Sequence, residues 1–189
     1  MKKCLESVKI HIGQLHASRK PVEIFTLLGS CVSVCFHDPV SRIGGMNHIL
    51  LPGKADLEQF DQSARYGINA MEILINRLQK EGAVKRNLRA KVFGGAHILR
   101  SVNEANSPGK RNLEFVFRFL EIESYPVISM DVGGSNARKI YFRTDTGDVR
   151  LKRVPAMYFG LLRREERRFT RQVKYELGKD GKVSIFTDI

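Results

Sequence analysis

Apolar residues in this chain come first as short β-prone runs, then at three- and four-residue spacing over 63–82, then as short runs again around one more helical stretch. That order of strands, helix, strand, helix and strands predicts an α+β fold of layered mixed β-sheets with packed helices. A doubly wound parallel sheet would alternate the two periods more regularly. Val8 to Ile12 alternates apolar and polar residues as a half-buried strand does, and Val22 to Leu28, Cys31 to Phe36 and Ile43 to Leu51 follow as strands. Gly29-Ser30, His37-Asp38-Pro39 and Pro52-Gly53 punctuate them. The Cys31 and Ile43 strands, joined by a short polar turn, form a hairpin that brings their side chains together. Asp56 to Gln62 is a polar loop. Ala64, Ile68, Met71, Leu74, Ile75 and Leu78 then make one face of a helix that begins at Ser63 and stops at Gly82. Leu88 to Phe93 is a strand, and Asn112 is the expected N-cap of a helix carrying Leu113, Val116, Phe117 and Leu120. Pro126 to Val132, Ile140 to Phe142 and Val149 to Val154 complete the strands, the last entered through the turn Thr146-Gly147-Asp148.

A length of 189 residues, 42% of them hydrophobic, suits one core domain, expected over residues 1–154. Residues 155–189 differ in composition, and the run Arg163-Arg164-Glu165-Glu166-Arg167-Arg168 reads as an exposed helix or tail in a basic C-terminal extension. Net charge is +12, and residues 150–189 hold 11 basic and 5 acidic side chains, so half the excess lies in about the last fifth of the chain. Such a surface is either simply solvated or attracts an acidic partner. Nucleic acid is not the expected partner, because no zinc-finger, RNP or helix-turn-helix signature accompanies the charge. No run approaches the roughly 18 apolar residues that span a bilayer. The charged start Met1 to Glu6 has no apolar core of a signal peptide, so a cytoplasmic protein without membrane insertion is expected.

Three cysteines, Cys4, Cys31 and Cys35, do not make a disulfide framework, and no Cys-x-x-Cys or His-Glu-x-x-His pattern points to a metal. None of the pairs Gly44-Gly45, Gly94-Gly95 and Gly133-Gly134 belongs to a phosphate-binding loop, so each is read as a tight turn or bulge. Cys31 stands apart because Leu28-Gly29-Ser30 precedes it. Glycine there permits a sharp turn and a close approach, and leaves backbone N–H groups free for an oxyanion. His48, seventeen residues on in the other hairpin strand, follows Gly44-Gly45-Met46-Asn47. A thiol and an imidazole brought together are the minimum for a cysteine hydrolase, since the thiolate is the nucleophile and needs a base. On spacing alone a buried cysteine is more often inert core, as Cys35 is read to be, and a lone histidine more often a core residue.

The ordered strings Leu28-Gly29-Ser30-Cys31-Val32, Ile43-Gly44-Gly45-Met46-Asn47-His48 and Leu51-Pro52 resemble the signature of the CheD family. The resemblance continues through Arg65-Tyr66-Gly67, Lys91 to Ala96, Arg111-Asn112, Asp131-Val132-Gly133-Gly134, Arg138 to Phe142 and Thr144 to Gly147, and so spans Val8 to Val154. It implies a protein-glutamine deamidase that acts on the cytoplasmic helices of chemoreceptors, with a fold similar to the toxin-type cysteine deamidases. It implies no metal or cofactor. The family's nucleophile and histidine match Cys31 and His48, with backbone support from Gly29 and Ser30. The family's threonine, six positions before the cysteine, falls on Phe25 here, and its neighbour Thr26 is taken as the third catalytic residue. Some relatives pair with CheC, a phosphatase. A chain that mainly binds or regulates a CheC-type phosphatase, with weak catalysis, is therefore the alternative. His97, after Gly94-Gly95-Ala96, is the other histidine considered as a base.

Overall fold

Val22–Leu28 sets the pattern of the molecule: Val22, Ile24, Thr26 and Leu28 are buried, while Glu23, Phe25 and Leu27 between them are only partly so. Successive strand residues face opposite sides, so one row of this strand meets a second layer and the other meets solvent. The computed structural model describes residues 5–59, 61–98, 103, 106–154 and 159–180. In chain order the elements are β1 (Glu6–Lys9), β2 (Leu15–Ser18), β3 (Val22–Leu28), β4 (Val32–Asp38), β5 (Ile43–Asn47), α1 (Gln62–Glu81), β6 (Arg89–Gly94), α2 (Pro108–Ile122), β7 (Val127–Val132), β8 (Arg138–Arg143), β9 (Val149–Arg153) and α3 (Phe159–Asp180).

The strands form two mixed sheets, ordered β1-β3-β8-β9 and β2-β5-β4-β6-β7. In the first, β1 runs parallel to β3; in the second, β7 runs parallel to β6; all other pairs are antiparallel. The inner face of the first sheet offers Ile24, Leu28, Ile140 and Phe142 to Cys31, Cys35, Met46, Leu50 and Phe93 from the β4–β5 side. The alternate residues Val32, Val34, Phe36, Ile43 and Ile49 pack on the other face, against Met71, Leu74 and Leu78 of α1 and Val116, Phe119 and Leu120 of α2. The expected layered mixed sheets with packed helices are thus present.

Two expectations need correction. Asn112 is not a helix cap: α2 starts five residues earlier, where Ser107 accepts the Lys110 N–H at 3.2 Å and Pro108 takes the first helical turn. Asn112 is buried inside α2, its side chain directed to other elements. The strand from Ile43 ends at Asn47 rather than Leu51, because the His48 backbone bonds to the β2 side, donating to Gln14 O (2.9 Å) and accepting from Gly13 N–H (2.8 Å). Ile49 then returns to β4 through a single antiparallel bridge with Val32. β2 adds a strand outside the expected set: Leu15-His16-Ala17-Ser18 alternates, but over four residues only, too short a run to stand out.

α1 begins at an Asp61 cap that accepts the Ala64 N–H at 2.7 Å and ends at Gly82 in the left-handed conformation (φ 107°), close to the expected bounds. Gly67 marks where α1 and α2 approach: a Cβ there would lie 2.4 Å from the Phe115 ring and 2.9 Å from Leu51. Alanine gains roughly 1 kcal/mol of helix propensity over glycine, but overpacking a filled core costs about 1–3 kcal/mol, and Phe115 is itself buried in that core. We expect Gly67→Ala to destabilise the protein, against the rule for exposed helices, with a lower midpoint in urea unfolding.

Candidate active site

The β4–β5 hairpin brings Cys31 and His48 to one face. Val32 and Ile49 pair in the same register as Cys35 and Met46, so His48 stands across from Ser33 and Cys31 is two residues along on the same side. That side is the layer between the sheets, where Cys31 and Cys35 are both buried. Cys4 lies outside the described residues.

From the opposite sheet, Thr26 reaches His48: its Oγ1 lies 2.7 Å from His48 Nδ1 and 2.8 Å from the carbonyl oxygen of Ile10. A carbonyl only accepts, so the one hydroxyl hydrogen goes to Ile10 O and Oγ1 accepts from Nδ1–H. This assigns the tautomer, with the proton on Nδ1 and a free lone pair on Nε2. His48 Nε2 is buried and has no hydrogen-bond partner. Phe25, which takes the family threonine's place by count, is in the outward row and stacks on Tyr141 with ring centroids 5.8 Å apart. β3 pairs with β8 over six consecutive residues without a bulge, so Thr26 faces inward by strand alternation alone. The His97 backbone N–H donates to Gly134 O at 2.7 Å.

The turn Gly29-Ser30-Cys31 is held by its carbonyls. Gly29 O accepts from Ala96 N–H (2.8 Å), Cys31 O from Gly95 N–H (2.7 Å) and Ser30 O from the Asn112 side-chain amide (2.8 Å). Asn112 Oδ1 in turn accepts the Leu51 N–H at 3.0 Å. Gly94 allows the approach: its φ is 109°, and a Cβ there would lie 2.2 Å from Cys31 O. Asn112 thus positions the turn that carries Cys31, a role that its cap-like residue type conceals.

Glu166 of α3 closes the site. The Ser30 N–H donates to its Oε1 (2.9 Å) and the Ser30 hydroxyl to its Oε2 (2.7 Å), while the Cys31 thiol is directed to Oε1 at 3.6 Å. The thiol therefore bonds Glu166 and not His48. Burial pushes the Cys31 thiol well up, and the Glu166 carboxylate adds to this. Burial, with a smaller repulsion from His11, drops His48 to about 3. Burial raises Glu166 too, opposed by the hydrogen bonds from Ser30 and Cys31. With α3 seated, the site holds a neutral thiol and a neutral imidazole. Glu166 belongs to the run expected to be exposed, yet only 7% of it is accessible. The signal is legible: Leu162, Glu166, Phe169, Val173 and Leu177 fall on one helical face, with a glutamate inside an apolar stripe.

A histidine whose folded pKa is depressed binds a proton more readily when unfolded. Its contribution is therefore complete above about pH 6.5 and is lost as pH falls from there toward 3. Replacing His48 with glutamine removes this term. We expect the His48→Gln variant to keep a flatter stability between these pH values in chemical denaturation than the unmodified protein.

A family model described as CheD chemotactic sensory transduction matches residues 50–153. The "Probable chemoreceptor glutamine deamidase CheD 1" of Shewanella oneidensis is 42% identical over 182 residues, covering 95% of this chain and 87% of the relative. The "Probable chemoreceptor glutamine deamidase CheD" of Thiobacillus denitrificans is 41% identical over 183 residues, covering 96% and 90%. Among solved structures, the Bacillus licheniformis hypothetical protein YfiH superposes with a TM-score of 0.44 at 16% identity, over 64% of this chain and 51% of that one, too distant to argue from. Among the described residues, no helix is long and apolar enough to cross a membrane. Since the relatives match almost end to end and the family model covers more than half the residues, the chain belongs to the CheD family.

Proposed function

We infer that this protein is a glutamine deamidase of chemoreceptors, converting glutamines on their cytoplasmic helices to glutamates, with Cys31 as nucleophile and His48 as base. The observation that carries this reading is the chain Ile10 O, Thr26 hydroxyl, His48 imidazole, which leaves a buried Nε2 lone pair on the face that holds the thiol. The names of the relatives support the substrate. The enzyme works where those helices lie, in the cytoplasm.

Each step follows from the side chains. His48 Nε2 takes the Cys31 proton and the thiolate attacks the carbon of the glutamine amide. The amide oxygen becomes an oxyanion and accepts the Ser30 N–H, where Glu166 Oε1 now sits. The C–N bond breaks as the imidazolium protonates the departing nitrogen, and ammonia leaves a thioester. Water gives a proton to His48 and its hydroxyl to the thioester carbon; the thiolate departs and is reprotonated. The sum is one amide and one water to one acid and one ammonia, and it needs neither metal nor cofactor. On this reading the layered sheets belong with the toxin-type cysteine deamidases.

A role mainly as a binding partner of a CheC-type phosphatase is the rival. The Thr26–His48 pair favours the enzyme: a hydroxyl held by Ile10 O fixes one tautomer of an imidazole on the face that carries the Cys31 thiol, an arrangement that binding alone does not require.

Mass spectrometry of a receptor cytoplasmic fragment tests the assignment. The unmodified protein converts specific glutamines, and Cys31→Ala converts none while unfolding at a similar temperature; conversion by Cys31→Ala would remove Cys31 from the chemistry. Thr26→Val keeps the shape but not the acceptor for Nδ1–H. We expect kcat to fall by about 100-fold with KM little changed, the loss falling on proton transfer.

A further inference from the structure

A carboxylate on the amide that is to hold the oxyanion, beside the nucleophile, is an arrangement the catalytic cycle itself produces. The product is a glutamate side chain presented by a helix, and α3 presents Glu166 in the same way. Gly29 is shaped to receive it: a Cβ at that position would lie 2.7 Å from Glu166 Oε1 and 2.8 Å from Ile98. The helix is anchored on both sides of Glu166. Leu162 packs with Ala96, Ile98 and Ala137; Phe169 lies edge-on to Tyr66 with centroids 6.5 Å apart; Val173 and Leu177 join the cluster around α1. Two cavities flank α3. One, of about 310 Å³, reaches Thr26 and His48 beside Glu165, Arg168 and Phe169. The other, of about 340 Å³, reaches Ser30 and Leu50 beside Glu166, Arg167 and Thr170. Helix α3 therefore lies along one groove and divides it, the base on one side and the oxyanion amide on the other.

We propose that α3 is an intramolecular mimic of the product helix: it lies in the groove that a substrate helix occupies, with Glu166 in the place of the newly formed glutamate, and it leaves before substrate enters. This rests on the deamidase reading and adds a substrate rule to it. The target glutamine sits in an apolar stripe, with apolar residues four positions before it and three and seven after, as Leu162, Phe169 and Val173 stand to Glu166. The seated helix also holds the enzyme at rest. It engages the thiol, which then does not bond His48, and its carboxylate raises the energy of the thiolate.

The test uses the full chain. In Glu166→Gln an amide replaces the carboxylate, its oxygen on the Ser30 N–H and its carbon next to the Cys31 sulfur. We expect Cys31 to attack it, ammonia to leave and water to restore glutamate. Peptide mass spectrometry then finds residue 166 as the acid in Glu166→Gln and as the amide in the double variant Cys31→Ala/Glu166→Gln. In Glu166→Lys the helix is unseated, and alkylation of Cys31 by iodoacetamide should be about tenfold faster or more than in the unmodified protein. Cys35, buried away from α3, serves as the reference. If the introduced glutamine keeps its amide while the same variant deamidates a receptor fragment, α3 does not lie as a substrate does and the proposal falls. An unchanged Cys31 alkylation rate in Glu166→Lys, with native circular dichroism, also overturns it; if that variant is unfolded, the Glu166→Gln result decides. If folded Glu166→Gln protein converts neither the introduced glutamine nor any receptor glutamine, the deamidase reading fails first and this proposal with it.

Discussion

Three carbonyl groups in a row, those of Gly29, Ser30 and Cys31, are each held by a donor from another part of the chain, and the site depends on this restraint. A turn between two strands has few hydrogen bonds of its own, and buried carbonyls must be satisfied somewhere. Here Gly95, Ala96 and Asn112 satisfy them, tying the turn to the loop after β6 and to the middle of α2. With the carbonyls held from these sides, the Ser30 amide turns the other way, toward Glu166 of α3. That is why a glycine with φ of 109° sits at residue 94, and why an asparagine is buried inside a helix. A site whose groups are positioned before substrate arrives reorganises little during reaction.

Burial between two sheets has opposite effects on the reacting groups. It keeps the imidazole neutral, with Thr26 fixing one tautomer, and, in the deamidase reading proposed above, that suits a base; it also keeps the thiol protonated, which opposes a nucleophile's role. The arginines at 163, 164, 167 and 168 are exposed on this helix, and the buried row beneath them is apolar except for Glu166. A carboxylate in such a row is costly unless hydrogen-bonded. The Ser30 amide and hydroxyl supply those bonds, so the packing of α3 and the engagement of the Ser30 amide go together.

Much of this is legible along the chain. The hairpin, α1 and its glycine stop, and the pairing of Cys31 with His48 on one face follow from local period and turn chemistry. Asn112 misleads because asparagine favours caps, and the stronger Ser107-Pro108 start lies just upstream. Thr26 illustrates the same limit. By position count it falls beside the family's threonine and not on it; only the inward row of β3, set by pairing with β8, shows that Thr26 and not Phe25 meets His48. Glu166 carries a signal in its helical stripe, but a dense run of charge hides the face it shares with Leu162 and Val173.

The sequence by itself determined the layered α+β class and most of the elements around the site, and it singled out the thiol and imidazole that the fold brings to one face. These depend on period, glycine placement and residue type, which are local properties. Tertiary structure decided which groups the thiol and imidazole meet. Thr26 comes from the other sheet, Asn112 from α2 and Glu166 from 136 residues beyond Ser30, and each contact is long-range. Local patterns say which face of an element is buried; only packing says what it is buried against.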